Sequence, residues 1–181
     1  MRPDAIFKFE GGYVRPLITN DINDGYVNGL NDSEVNKYLV VVKQSEQTHQ
    51  SVINFVVAND QSPSSVLWGI WAEESESFFG TVRLHGIEFH HRTAHIGVCL
   101  FDKNFWGRGF GSKAISAVTK WALSDLKLRW IEAGTFEENV ASQKTFLSAG
   151  YSWKYDVNGK YILEGKPAVV RVFVAENSKL I

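Results

Sequence analysis

Gly107, Gly109 and Gly111 fall at alternate positions in the run Trp106-Gly107-Arg108-Gly109-Phe110-Gly111-Ser112. Alternate glycines remove side chains where a backbone must come close to something. Just beyond, Ala114, Ile115, Ala117, Val118, Trp121 and Ala122 recur at helical spacing, so a helix N-terminus follows the glycines directly. Free N–H groups and the positive end of the helix dipole make such a terminus an anion site, and Arg108 adds a full charge. The chemistry this supports is a cradle for phosphate or pyrophosphate; a Gly-rich turn without a ligand is the bland alternative. A Walker loop would end Gly-Lys-Ser/Thr, whereas this chain has Gly111-Ser112-Lys113. The spacing also departs from the dinucleotide fingerprint, and no acidic residue ends the next strand.

Other reactive side chains point to less. His85, His90 and His91 flank a strand turn, and no Cys or carboxylate stands at zinc-ligand spacing, so no metal is expected. Cys99 lies within a strand with no partnered His–Asp pattern and reads as a buried structural thiol. Six Trp and twelve Phe suggest an aromatic core first. Trp68, Trp71, Phe89 and Tyr38 could line an acceptor pocket, with core packing the better reading of each.

The elements that must position these residues follow from periodicity. Tyr13 to Leu17 reads as a first strand, with Pro16 confining it to an edge or an end. Thr19-Asn20-Asp21 signals a helix carrying Ile22, Tyr26, Val27 and Leu30. Asn31-Asp32-Ser33-Glu34 restarts a second short helix with Val35, Tyr38 and Leu39, and Thr48 caps a third with Val52, Ile53, Phe55 and Val56. Val66–Ala72 and Phe78–His85 form a hairpin across the charged turn Glu73–Ser77, and Thr93–Phe101 is the next strand. Trp130–Phe136 is a strand, and Asn139 caps a helix that Gly150 ends. The tail, Tyr151–Ala175, is β-rich. Its hairpin turn is placed at Glu164-Gly165-Lys166-Pro167, with Asn158-Gly159 left as either a turn or a bulge.

Composition bounds the rest. The chain has 181 residues, 44% hydrophobic and 22% charged, which suits one domain over 1–181 with an ordinary core. One cysteine excludes an intrachain disulfide framework. A net charge of −1 gives no bulk field toward nucleic acid or anionic membrane. The opening Met1–Leu17 lacks the apolar core of a leader, and no run approaches a membrane span, so a cytoplasmic protein is expected.

The run from Ile96 to Ser112 resembles the acetyl-CoA-binding motif of the GNAT superfamily of N-acetyltransferases, usually Gln/Arg-x-x-Gly-x-Gly/Ala, with Trp106 in the first position. Glu138-Asn139-Val140-Ala141-Ser142, Phe146 and Ala149-Gly150-Tyr151 resemble the family's Asn-x-x-Ser…Tyr…Gly-Phe segment, in order and at the right separation. The helical insert and Leu30-Asn31-Asp32-Ser33-Glu34-Val35 resemble the branch holding the RimJ and RimL ribosomal-protein acetyltransferases and amino-sugar acetyltransferases. The resemblance spans about residues 13–175. It implies an α/β fold: a mixed, mostly antiparallel twisted sheet of about seven strands with helices on both faces. The helical acceptor-side insert would lie at about 20–60 and the acetyl-CoA-binding core at about 93–151.

Acetyl-CoA is then the implied co-substrate. Backbone groups of Cys99, Leu100 and Phe101 would hold its acetyl carbonyl and pantetheine arm. N–H groups from Gly107 through Arg108, Gly109, Phe110 and Gly111 to Ser112 would hold the pyrophosphate, with Asn139, Ser142 and Phe146 toward the pantetheine. Amine acetylation needs a proton acceptor, because the attacking amine must be neutral. At pH 7 that costs an α-amine about 1 kcal/mol and a lysine about 4.6 kcal/mol. His95 stands where many relatives of this branch carry Glu, and a histidine's ordinary pKa of ~6.5 suits a base; Glu132 is the second candidate. Phe146 takes the place of the family's Tyr, which leaves thiolate protonation to water or Ser142, or makes it unnecessary. The acceptor is expected to be a small-molecule or amino-sugar amine. The alternatives are a protein N-terminal α-amine or a degenerate CoA-binding module, on a monomer or homodimer.

Overall fold

Strand β3, Ser65–Ala72, is buried at every position, so both faces of its sheet must be covered. Val66, Trp68, Ile70 and Ala72 turn to one core, and Leu67 and Trp71 turn to the other. The computed structural model describes residues 6–177. Around β3 it places β1 Phe7–Phe9, β2 Gly12–Pro16, β4 Phe78–Glu88, β5 Thr93–Leu100, β6 Trp130–Phe136, β7 Ser152–Leu163 and β8 Lys166–Glu176. The sheet order is β1-β2-β3-β4-β5-β6-β8-β7. Among the described strands every neighbouring pair is antiparallel except β5–β6.

Helices cover both faces. Helices α1, Asp24–Asn31, and α2, His49–Gln61, supply Tyr26, Val27, Leu30, Val52 and Val56 to the core on one side. On the other, α3, Phe110–Ser124, and α4, Val140–Ser148, supply Ala114, Ile115, Val118, Ala122 and Phe146. Thr48 caps α2 by accepting the Ser51 N–H, and Asn139 caps α4 by accepting the Ser142 N–H. Among the described residues no helix is long and apolar enough to cross a membrane.

The elements differ from expectation in three places. The sheet has an eighth strand, β1, whose Phe7 and Phe9 pack on Trp121 and Phe110. Thr19–Asp21 forms only a 3-10 turn, whose Asp21 carboxylate takes two hydrogen bonds of 2.8 and 2.6 Å from Arg15, and α1 starts after its own cap, Asn23. The second short helix does not form. Asp32 accepts the Glu34 N–H on its side chain and the Asn36 N–H on its carbonyl, and the Asn36 amide donates to the Leu30 carbonyl, so residues 32–38 close as turns interrupted by side-chain bonds and not as a continuous helix. In the tail, Glu164 and Gly165 have φ of 50° and 78° and close the β7–β8 hairpin as a two-residue turn. Asn158-Gly159 is a shift of register within β7. Of the stretch read for a leader, residues 1–5 lie outside the described residues.

Candidate active site

The parallel pairing of β5 with β6 covers Thr93↔Trp130, Ala94↔Ile131 and His95↔Glu132, and ends there. Beyond that point the strands separate, while β5 continues beside β4 as far as Leu100. The Phe101 N–H donates to the Phe79 carbonyl, and antiparallel pairs turn successive main-chain groups to opposite sides. Cys99 and Phe101 therefore bond toward β4, and Val98 and Leu100 present their main chain to the gap. Sequence spacing alone did not place Val98 on the gap side, because the neighbouring strand sets the phase. On the β6 side of the gap, Thr135 carries a buried hydroxyl with no protein partner.

At the open end stands the glycine loop. Gly107 and Gly109 have φ of 71° and 79°, so backbone conformation requires glycine at both. A Cβ built on either would meet nothing within 4 Å. Gly109 is the N-cap of α3 and provides no side-chain cap, which leaves the first N–H groups of the helix open to an anion. Arg108 lies over the rings of Phe105 and Phe110. Trp106 donates its indole N–H to the Leu100 carbonyl at 2.8 Å, so it bonds within the protein and ties the loop to the end of β5.

His95, Gly97 and Cys99 share the face toward α1 and α2. A Cβ on Gly97 would meet nothing within 4 Å, so open space adjoins His95 along the strand. Nδ1 of His95 lies 3.8 Å from Oε2 of Glu132. The other carboxylate oxygen, Oε1, accepts the Trp130 indole N–H at 2.7 Å and the Tyr155 hydroxyl at 3.1 Å. His85 stacks on His95 with ring centroids 5.6 Å apart. Burial, then the charges of Arg83 and His95, pushes the His85 pKa down to about 4. The residues Thr93, Ala94, His95, Arg129, Trp130 and Glu132 line a pocket of about 340 Å³.

Residues 32–38 cross from one separated strand to the other. Asp32 and Glu34 pair with Lys103, just past β5. Tyr38 stacks on Phe136 at the end of β6 and donates to the Glu138 carbonyl. Of the other aromatics, Trp68 and Trp71 are core residues and Phe89 is exposed. Phe146 departs from the cofactor-side expectation: it is 3% exposed and packed edge-on against Tyr151, leaving no surface for a ligand. Tyr151 offers no free proton donor either, since its hydroxyl is buried against Thr119. Burial pushes the Cys99 thiol up to about 12, which keeps it protonated and unreactive at neutral pH.

A parallel pair that opens beside an uncapped, glycine-led helix makes a cleft that ends at an anion site, and the comparisons give the class of enzyme that uses it. The model of the acetyltransferase (GNAT) domain matches residues 13–152, and the chain belongs to that family of acetyl-CoA-dependent N-acetyltransferases. It is 30% identical over 161 residues to the uncharacterized N-acetyltransferase YoaA of Bacillus subtilis, covering 88% of this chain and 90% of that one. In fold it resembles RimL, a ribosomal L7/L12 alpha-N-protein acetyltransferase solved with coenzyme A, at TM-score 0.84 and 15% identity over 95% of this chain and 98% of that chain. The spermidine N-acetyltransferase of Vibrio cholerae, solved with CoA and spermine, gives a TM-score of 0.81 at 16% identity over 95% and 99%.

Proposed function

We propose that this chain acetylates the primary amine of a small molecule, such as an amino sugar, and that His95 takes the amine's proton. The observation that carries the reading is the end of β5–β6 pairing at His95↔Glu132, which opens a cleft leading to the uncapped start of α3. The residues fit acetyl-CoA: main chain turned to the gap at Val98 and at the Leu100 N–H, the orphan Thr135 hydroxyl, and open space at Gly107 and Gly109. Val98 and Leu100 hold the pantetheine arm, with Asn139 and Ser142 on the opposite side, and N–H groups from Gly109 to Ser112 hold the pyrophosphate. When bound, acetyl-CoA supplies an activated thioester. His95 stands at the vertex of the cleft with its ring half exposed, where an amine entering beside Gly97 can pass it a proton.

The segment that crosses the cleft supports a small acceptor. Residues 32–38 bridge the separated ends of β5 and β6, through Lys103 on one side and Phe136 and Glu138 on the other, and so narrow that end of the cleft. The fold likeness to RimL favours a second reading, transfer to a protein N-terminal α-amine. A screen of purified protein with acetyl-CoA separates them, scoring CoA release from amino sugars, polyamines, free amino acids and peptides beginning with Ala or Ser. Turnover of amino sugars or other small amines is expected. Turnover confined to the peptides would replace the first reading with the second.

A further inference from the structure

Glu132 uses its two carboxylate oxygens differently. Oε1 receives two donors, the Trp130 indole at 2.7 Å and the Tyr155 hydroxyl at 3.1 Å, while Oε2 faces Nδ1 of His95 at 3.8 Å. The donors come from different strands. Trp130 sits two residues before Glu132 on β6, and Tyr155 reaches across β8 from β7. Glu132 is mostly covered, so its orientation is set by these bonds rather than by averaging in solvent.

We propose that Tyr155, with Trp130, is a positioning residue: together they pin Oε1 of Glu132 so that the charge on Oε2, 3.8 Å from Nδ1 of His95, favours the proton on that nitrogen. The inference rests on the proposed role of His95 as proton acceptor. A carboxylate facing one imidazole nitrogen favours the tautomer that carries the proton there, and the other nitrogen is left bare to act as base. The ring is oriented for this. Its Cδ2 would lie 3.2 Å from a Cβ on Gly86, on the β4 side, while Nδ1 faces Glu132 on β6. The edge carrying Nε2 and Cε1 therefore looks outward, toward the acceptor side. Tyr155 suits the task because burial, then its bond to Glu132, raises its pKa, so it remains a hydrogen-bond donor wherever the enzyme works. Trp130 cannot lose its N–H at all.

The test reads the tautomer and needs no acceptor. Protein labelled with ¹⁵N at histidine is examined at pH 8.5, and the His95 ring nitrogens are identified by their loss in His95→Gln. In the wild type, His95 is expected to carry its proton on Nδ1. Tyr155→Phe keeps the ring and removes only the hydroxyl, and should move His95 toward the Nε2–H form that free histidine favours; Trp130→Phe should do the same by removing the other donor. Glu132→Gln sets the end point. His95 on the Nε2–H tautomer in the wild type, or unmoved in both donor variants, overturns the positioning role. The proton-acceptor reading fails separately, through full turnover by His95→Ala, which leaves the tautomer result untouched.

Discussion

The indole N–H of Trp106 bonds the main-chain carbonyl of Leu100 at 2.8 Å, joining the glycine loop to the end of the strand that lines the cleft. The loop and the strand edge are thereby held in one arrangement before any ligand arrives. Trp106→Phe keeps a ring and loses the donor. One hydrogen bond is worth about 0.5–1.5 kcal/mol, so acetyl-CoA binding should weaken about 2- to 10-fold by calorimetry. Unchanged affinity would mean that the loop is ordered without Trp106.

Gly97 gives a test of where the reaction takes place. Its φ is not positive, and a side chain there would meet nothing within 4 Å, so Gly97→Val places a good strand former in open space. Thermal stability should stay within about 0.5 kcal/mol of the wild type, as for a surface substitution. Acetyl transfer should fall by about 100-fold or more, because a misplaced reacting group costs about that much. A fully active Gly97→Val would move the reacting centre elsewhere. Gly109→Val is a poorer probe, since φ of 79° at Gly109 strains any L-residue and mixes a backbone cost with the loss of binding.

Much of the fold was legible because local and tertiary signals agreed. Trp130–Phe136 alternates, and its sequence limits are those of β6; Thr48 and Asn139 cap helices where their types require. The segment after α1 was not legible. Val35, Tyr38 and Leu39 have helical spacing, yet Asp32 and Asn36 satisfy the backbone locally, and Tyr38 is drawn away to Phe136. The glycine loop and His95 could be read along the chain, but Tyr155 could not. Its approach to Glu132 depends on a register shift between Trp153 and Tyr155 that selects the face it occupies. Val98 was hidden likewise, because only pairing with β4 reveals which main-chain groups remain free.

His85 predicts a stability that depends on pH. Its pKa falls from 6.5 to about 4 in the folded chain, through burial first and the charges of Arg83 and His95 next. Between those values the unfolded chain binds the proton and the folded chain does not. Stability present above pH 6.5 is therefore lost as pH falls through that window to about 4. With His85 partly exposed, solvent screening leaves about 1–2 kcal/mol for this term. Urea unfolding at pH 7.5 and pH 5 should show the drop in the wild type and a smaller one in His85→Gln. Equal drops in the two proteins would assign the acid loss to other groups.

The proton acceptor is tested at His95. A positioned base contributes about 10²- to 10⁴-fold, so His95→Ala should lower kcat by that factor on the best amine from the acceptor screen. Acetyl-CoA affinity should hardly change, because the contacts assigned to it are main-chain groups of Val98, Leu100 and Gly109 to Ser112. Glu132→Gln should cost less, about 10-fold, if Glu132 acts only by orienting the ring, as loss of an outer partner does. The reverse ranking, with Glu132→Gln the worse variant, would make the carboxylate the base and His95 its neighbour. A His95→Ala enzyme that keeps more than half its kcat from about pH 6 to pH 9 would remove histidine from the proton path altogether.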